Sequence, residues 1–378
     1  MNETCTVVVT TINDPALLEE YYENFKRFGH LDMVRVVVIP DLKTPQKAYE
    51  RIDDLKKRGL NIVCPTINEQ EVFLKRVEFS PTLIPYNSDN RRNVGYLMAL
   101  ENGSDFIISI DDDNICTEDV DFFREHAVVC EDLLDVDEVS VDTGWYNIAE
   151  LLVFDKSGVT YPRGFPYFAR HKSNAASIKR TKGRVRINAG MWLLDPDVDG
   201  ISWLVNPMKV SGFGGKSIVL STETWSPVNT QNTALHREVI PSYYFVKMGY
   251  PLGNSMIDRY GDIFSGYFAQ ACAKKLGDGI RFGTPVANHV RNSHNYMNDA
   301  HNEWGCIMAL EDLLPWLREC KLEGKNYSEV YESLSYALEE VVEGMKGKIW
   351  TDATRGYFHQ MAFHMRRWLD AIRCLDVA

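Results

Sequence analysis

Asp105–Asn114 reads DFIISIDDDN. Phe106–Ile110 is a short apolar run, rich in β-branched residues, of the kind that forms a strand covered on both faces. It runs without a turn into Asp111, Asp112 and Asp113. Three carboxylates at the end of a buried strand are costly unless something cationic meets them. Hard oxygen donors suit Mn2+ or Mg2+. Asp111 and Asp113 can reach one ion, which would clamp a diphosphate and stabilise it as a leaving group. The plainer alternative is an acidic turn at a strand end, where Asp is common.

Outward from this strand the first half alternates strand and helix. Thr6–Thr11 (TVVVTT) predicts a first strand, with Asp14 as a helix cap, Pro15 as the first helical residue and a stop at Gly29. Further strands are expected over 33–39 and 60–64, and helices over 46–58, 68–77 and 90–101. This alternation predicts an α/β fold with a mostly parallel, doubly wound sheet. In such sheets ligands bind beyond the carboxyl ends of the strands. That rule selects Thr10, Thr11 and Asp41 beside the acidic triplet. Residues 130–300 mix strand-like runs (148–154, 185–194, 217–220) with turns, which predicts an α+β continuation of the same domain. Helical patterns over 303–322, 327–346 and 351–374 close the chain, and Tyr357, Met361, Met365 and Trp368 share one face of the last. The expected organisation is a domain over 1–300 and a helical extension over 301–378.

Other residues attract attention by position. Arg91 and Arg92 open the helix before the acidic strand, against the macrodipole preference unless an anion sits there. Arg92 bonding a diphosphate answers this; pairing with Asp89 or the triplet is the alternative. Arg163 lies in an aromatic, turn-rich loop (YPRGFPY, 161–167) suited to sugar or phosphate recognition, or is a structural arginine. Asp262 falls near the start of a helix, as a general base for an acceptor hydroxyl or as a simple cap. His289 or His294 could complete a metal site with the acidic strand, or be structural. Ser211–Ser217 lacks the first glycine of a P-loop, and HExxH, GxSxG and a GxGxxG after the first strand are absent.

Composition bounds these readings. With 53 acidic and 41 basic residues in 378, the net charge is -12, unlike a dedicated nucleic-acid binder. A local basic cleft, and so a nucleic-acid acceptor, remains open. No run of about 18 apolar residues marks a membrane span, and no basic leader precedes the first strand. The eight cysteines are scattered without a CxxC pair, as in reduced proteins. A cytoplasmic protein is expected.

Together these motifs resemble the plant reversibly glycosylated polypeptides, UDP-arabinopyranose mutases with a GT-A nucleotide-sugar fold. Thr10-Thr11-Ile12 is similar to the family's Pro-Thr-Ile step, Asp41 to the acid closing its second strand, and Ile110–Asp113 to its metal-binding Ile-Asp-Asp-Asp. Arg92, before Val94-Gly95-Tyr96, resembles the Arg before Phe-Gly-Tyr. Arg163-Gly164-Phe165-Pro166 looks like the family's Arg-Gly-Tyr-Pro, whose Arg becomes glycosylated. Gly190–Leu193, Tyr260–Gly266, and His289 with Arg291 extend the ordered likeness to about residue 295. Departures are Gly261, where the family has the first of two acids, Tyr161-Pro162, and a basic insertion around His171–Arg186.

The resemblance implies a GT-A, Rossmann-like domain with a helical C-terminal extension, and a metal-dependent glycosyltransferase using a UDP-linked sugar. Thr10, Thr11, Asp41, Arg92 and Asp112 would bind the nucleotide sugar, and Asp111, Asp113 and His289 the Mn2+ or Mg2+. Asp262 and Arg163 would act on the sugar and acceptor. A mutase or self-glycosylating protein carrying sugar on Arg163 is the second reading. The third is a non-enzymatic nucleotide-sugar-binding scaffold, with the C-terminal helices as a homo-oligomer surface.

Overall fold

The computed structural model describes residues 3–172, 175–253, 255–292 and 295–375. Its strands are β1 (Cys5–Thr11), β2 (Val34–Pro40), β3 (Asn61–Val63), β4 (Phe106–Ile110), β5 (Asn114–Cys116), β6 (Leu134–Val141), β7 (Leu152–Phe154) and β8 (Ala176–Gly183). They continue with β9 (Val185–Leu194), β10 (Val210–Phe213), β11 (Ile218–Leu220), β12 (Asn232–His236), β13 (Tyr250–Leu252), β14 (Ser255–Ile257) and β15 (Gly279–His289). The helices are α1 (Leu18–Phe28), α2 (Gln46–Lys57), α3 (Ile67–Arg76), α4 (Arg92–Glu101) and α5 (Phe122–Ala127). After them come α6 (Gly200–Val205), α7 (Gly261–Leu276), α8 (Tyr296–Glu319), α9 (Tyr327–Gly344) and α10 (Asp352–Arg373).

The main sheet runs β3-β2-β1-β4-β12-β9-β15-β11-β6-β8. The expected parallel pairing holds across β3, β2, β1 and β4. Beyond β4 the sheet is mixed: β12 is antiparallel to both β4 and β9, and β9 is parallel to β15. The α/β fold with a helical C-terminal region is as expected; the mostly parallel sheet is not. Both faces of the parallel half are buried. Val8 and Ile107 point into one hydrophobic cluster, while Val7, Val9, Ile108 and Ile110 point into another. This is the period-2 alternation of a strand covered on both sides.

Two local expectations are corrected. Asp14 does not cap α1, whose preceding residue Leu17 makes no side-chain cap bond. Asp14 instead pairs with Arg51 (2.5 Å) and Lys47 (2.9 Å) on α2, which hold its carboxyl down at about 2, the Arg51 hydrogen bond foremost. The first C-terminal helix starts before 303, at Tyr296, because the Asn295 side chain accepts from the N–H groups of Met297 and Asn298. The α9 and α10 side chains Leu334, Phe358 and Trp368 lie in the same cluster as Val8, so these helices share the core of the sheet. Tyr357, Met361, Met365 and Trp368 are all buried, as their spacing predicts. Among the described residues every cysteine is a free thiol, and no helix is long and apolar enough to cross a membrane.

Candidate active site

The carboxyl ends of β1 and β4 lie side by side, since these strands pair directly. Thr10, Thr11 and Asp111–Asp113 therefore meet at one edge of the sheet. Arg92, at the first position of α4, reaches under them. Its Nη2 donates to Asp111 Oδ1 (2.5 Å) and Thr10 Oγ1 (3.3 Å), and its Nη1 to Ser109 Oγ (2.8 Å) and the Thr230 carbonyl (3.3 Å). The Arg92 side chain is 3% exposed, so of the two readings the sequence left open, pairing with the triplet is what the structure shows. Burial pushes the Asp111 carboxyl up, with Asp113 and Asp89 adding to the rise and Arg92 opposing it. Asp112 turns the other way and accepts from Thr11 Oγ1 (2.7 Å) and Asn13 Nδ2 (3.3 Å).

Asp113 sits beside His289, the last residue of β15, with Oδ2 3.4 Å from Nε2. The adjacency follows from β5, which pairs antiparallel with β15 and sets Asn114 opposite His289. His289 Nδ1 lies 2.7 Å from the Asp195 carbonyl; donating its proton there leaves Nε2 to face Asp113. Burial would lower the His289 imidazole, but Asp113 outweighs it and raises it. Burial likewise acts to raise Asp113, yet His289 and Asn114 hold it below the usual carboxylate range. Among the described residues no group of three or more His, Cys, Asp or Glu side chains converges on one point as a complete metal cage. Asp113 and His289 converge, while Asp111 is drawn to Arg92. One or two protein donors completed by phosphate oxygens is how Mg2+ is commonly held, so this donor set fits a cation that arrives with a diphosphate. His294 lies outside the described residues.

Asp41 closes β2. Its Oδ1 accepts the Leu42 N–H (2.7 Å), and its Oδ2 lies 3.7 Å from Arg91 Nε. Thr44 joins this turn to β1: its hydroxyl donates to the Thr11 carbonyl (2.7 Å) and accepts the Asp41 N–H (2.8 Å).

Arg163 and Asp262 form a second, buried group. Arg163 Nε donates to Asp197 Oδ1 (2.9 Å) and Nη2 to Asp197 Oδ2 (3.3 Å). Nη1 and Nη2 also reach Asp262 Oδ1 (3.0 Å) and Oδ2 (2.6 Å), and Nη1 donates to the Arg259 carbonyl. Each of the three guanidinium nitrogens thus has an acceptor. Burial works against the charge, but the two carboxylates raise the Arg163 pKa well above normal. Asn229 Nδ2 braces Asp197 at 2.7 Å. Asn229 and Thr230 lead into β12, so the Arg163 group and the Arg92 group are held by consecutive residues. Gly261, the departure from the family pattern, has a steric cause: a Cβ there would lie 2.6 Å from the Val246 carbonyl. Sequence reasoning missed Asp197, Asn229, Arg259 and Thr44. Asp197 carried a usable signal, since Asp195, Asp197 and Asp199 follow the end of β9 much as the triplet follows β4.

UDP-arabinopyranose mutase 1 of Arabidopsis thaliana is 26% identical over 220 residues, covering 57% of this chain and 55% of that protein. Probable UDP-arabinopyranose mutase 4 of the same plant is 23% identical over 292 residues, covering 76% and 72%. The chain thus spans little more than half the length of the first of these curated relatives. Among solved structures, glucosyl-3-phosphoglycerate synthase from Mycobacterium tuberculosis with Mn2+, UDP-glucose and phosphoglyceric acid aligns at a TM-score of 0.41 and 12% identity, covering 82% of this chain and 78% of that one. That likeness is too slight to bear on fold or function. The model of the reversibly glycosylated polypeptide family matches residues 1–376, and the chain belongs to that family.

Proposed function

We propose that the chain is an enzyme that breaks the bond between a UDP-linked sugar and its diphosphate, beyond the carboxyl ends of β1 and β4. The observation that carries this reading is the meeting of Thr10, Thr11, Arg92 and Asp111–Asp113 at one sheet edge, with His289 beside Asp113. Thr10, Thr11, Asp41 and Asp112 line the nucleotide side. Asp113 and His289, with Asp111, would hold Mn2+ or Mg2+, which would supply positive charge to a departing diphosphate. Arg92 keeps Asp111 and Thr10 in register, and it adds fixed positive charge beneath the diphosphate.

Two outcomes for the sugar are distinguished by the Arg163 group. In a transferase, an acceptor hydroxyl attacks the anomeric carbon and gives its proton to Asp262, while the bonding electrons leave with UDP. Asp262 must first loosen its two bonds to Arg163. In a mutase the sugar returns to UDP in a changed ring form, and the names of the curated relatives favour this outcome. Sugar carried on Arg163 would require one guanidinium nitrogen to free itself from its acceptor, attack the anomeric carbon as UDP leaves, and pass its proton to an adjacent carboxylate. Incubation with labelled UDP-arabinose and UDP-glucose, followed by mass spectrometry, separates these. An adduct lost in Arg163→Ala supports the carrier route; product on a separate acceptor without adduct supports the transferase. No turnover of any UDP-sugar contradicts both.

A further inference from the structure

We propose that Glu303, on α8, is a positioning residue that clamps together the two segments supplying the carboxylates around Arg163. The proposal rests on the reading of Arg163 and Asp262 as part of the sugar-handling site. Glu303 is fully buried. Its Oε2 accepts the Gly200 N–H at 2.7 Å, and its Oε1 accepts from Arg259 Nε at 3.2 Å. Gly200 opens α6, three residues after Asp197, and Arg259 stands three residues before Asp262. One carboxylate thus joins the segment behind one wall of the arginine cage to the segment behind the other.

Arg259 shows why such a clamp is needed. Its φ is +64°, in the left-handed region, a strained conformation that a non-glycine residue keeps only where its surroundings enforce it. In this conformation the Arg259 carbonyl accepts from Arg163 Nη1. The guanidinium of the same residue is tethered by Glu303 and by Asp299 at 3.3 Å. The tether and the carbonyl contact belong to one residue, so tension on the side chain is transmitted to the backbone atom that faces Arg163. Asp299 is itself paired with Arg291 at 3.4 Å, and Arg291 N–H donates to Asp195 Oδ2 at 3.1 Å. The network therefore closes back onto the stretch that carries Asp197.

A buried acid is an expensive choice for this position. Burial pushes the Glu303 carboxyl up to about 7, with the Gly200 N–H, Arg163 and Arg259 opposing the rise. Glutamine fits the same space, but once its one carbonyl oxygen accepts the Gly200 N–H, its amide N–H2 faces Arg259 donor against donor. The acid is what links the two segments.

Glu303→Gln tests this, with Arg259→Ala cutting the same link from its other end. Hydrogen exchange at 197–200 and 258–263 is expected to accelerate in E303Q, while 106–114 stays as in the wild type. UDP affinity is expected to stay within about twofold, and turnover of a UDP-sugar to fall by about tenfold to a hundredfold, the scale of a small misplacement in a reacting site. The double variant is expected to lose little beyond Arg259→Ala alone, because that variant already cuts the Glu303 link along with the Asp299 one. Unchanged exchange at 197–200 and 258–263 overturns the clamp whatever turnover shows, as do wild-type turnover in E303Q or fully additive losses. If the wild type turns over no UDP-sugar at all, it is the enzymatic reading that falls, and the exchange experiment still decides the clamp.

Discussion

Arg92 draws both sides of the candidate site together. Its planar fork reaches Thr10, Ser109, Asp111 and Thr230, which a lysine ammonium on a flexible stem cannot do in one geometry. Removing it empties a fully buried place and leaves the half-buried Asp111 without its cation. Arg92→Ala is therefore expected to cost about 3 kcal/mol in chemical denaturation, with Arg92→Lys intermediate; equal stability of all three would refute the tie. The sequence exposed the acidic triplet because a buried strand ending in three carboxylates has few explanations. It left the partner of Asp111 open, because α4 delivers Arg92 there by packing under β1. The Arg163 cage was harder still: Asp197, Asp262 and the Arg259 carbonyl come from separate segments, and no local pattern announces that they meet.

At the scale of elements, the strands of the parallel half were readable as apolar runs, and β9 was read to the residue. β12 was not read at all, and its antiparallel pairing with β4 is decided by partners far away in the chain. The basic stretch around β8 finds its explanation in pairing too: Lys179, Arg180 and Lys182 stand opposite Glu138, Asp137 and Asp135 on β6, a charge match that favours this register. On α7, Gly266 lets the helix approach the loop carrying Asn229. A Cβ at 266 would lie 2.1 Å from the Val228 carbonyl, a backbone atom that cannot step aside. Gly266→Ala is expected to destabilise by about 2 kcal/mol, measured by urea unfolding; a change under about 0.5 kcal/mol would mean the helix can shift freely.

The molecule as a whole is held by shared cores, with α9 and α10 packed into the cluster that also covers the sheet. Its stability should depend on pH through buried histidine. His126 is fully buried; its Nε2 lies 2.7 Å from Asn232 Oδ1, and Asn188 Nδ2 lies 3.0 Å from its Nδ1. A neutral ring donates at the first and accepts at the second, so protonating Nδ1 would set one N–H against another. Burial foremost lowers its pKa to about 4. Since the folded value is depressed, His126 contributes its stability fully above about 6.5, and this is lost as pH falls toward 4. The loss reaches about 3 kcal/mol. Unfolding free energy should fall less steeply over this window in His126→Gln than in the wild type; parallel slopes would show that the ring is not the sensor.

On the proposed function, the sheet edge at Asp111–Asp113 binds a uridine diphosphate together with a divalent cation. Calorimetric titration of UDP into the full chain, with Mn2+ and again with a chelator in its place, tests it most directly. Saturable binding with Mn2+ is expected, weakening by about tenfold or more when the cation is withdrawn. No binding of UDP in the presence of Mn2+, or equal binding with the chelator, would contradict it.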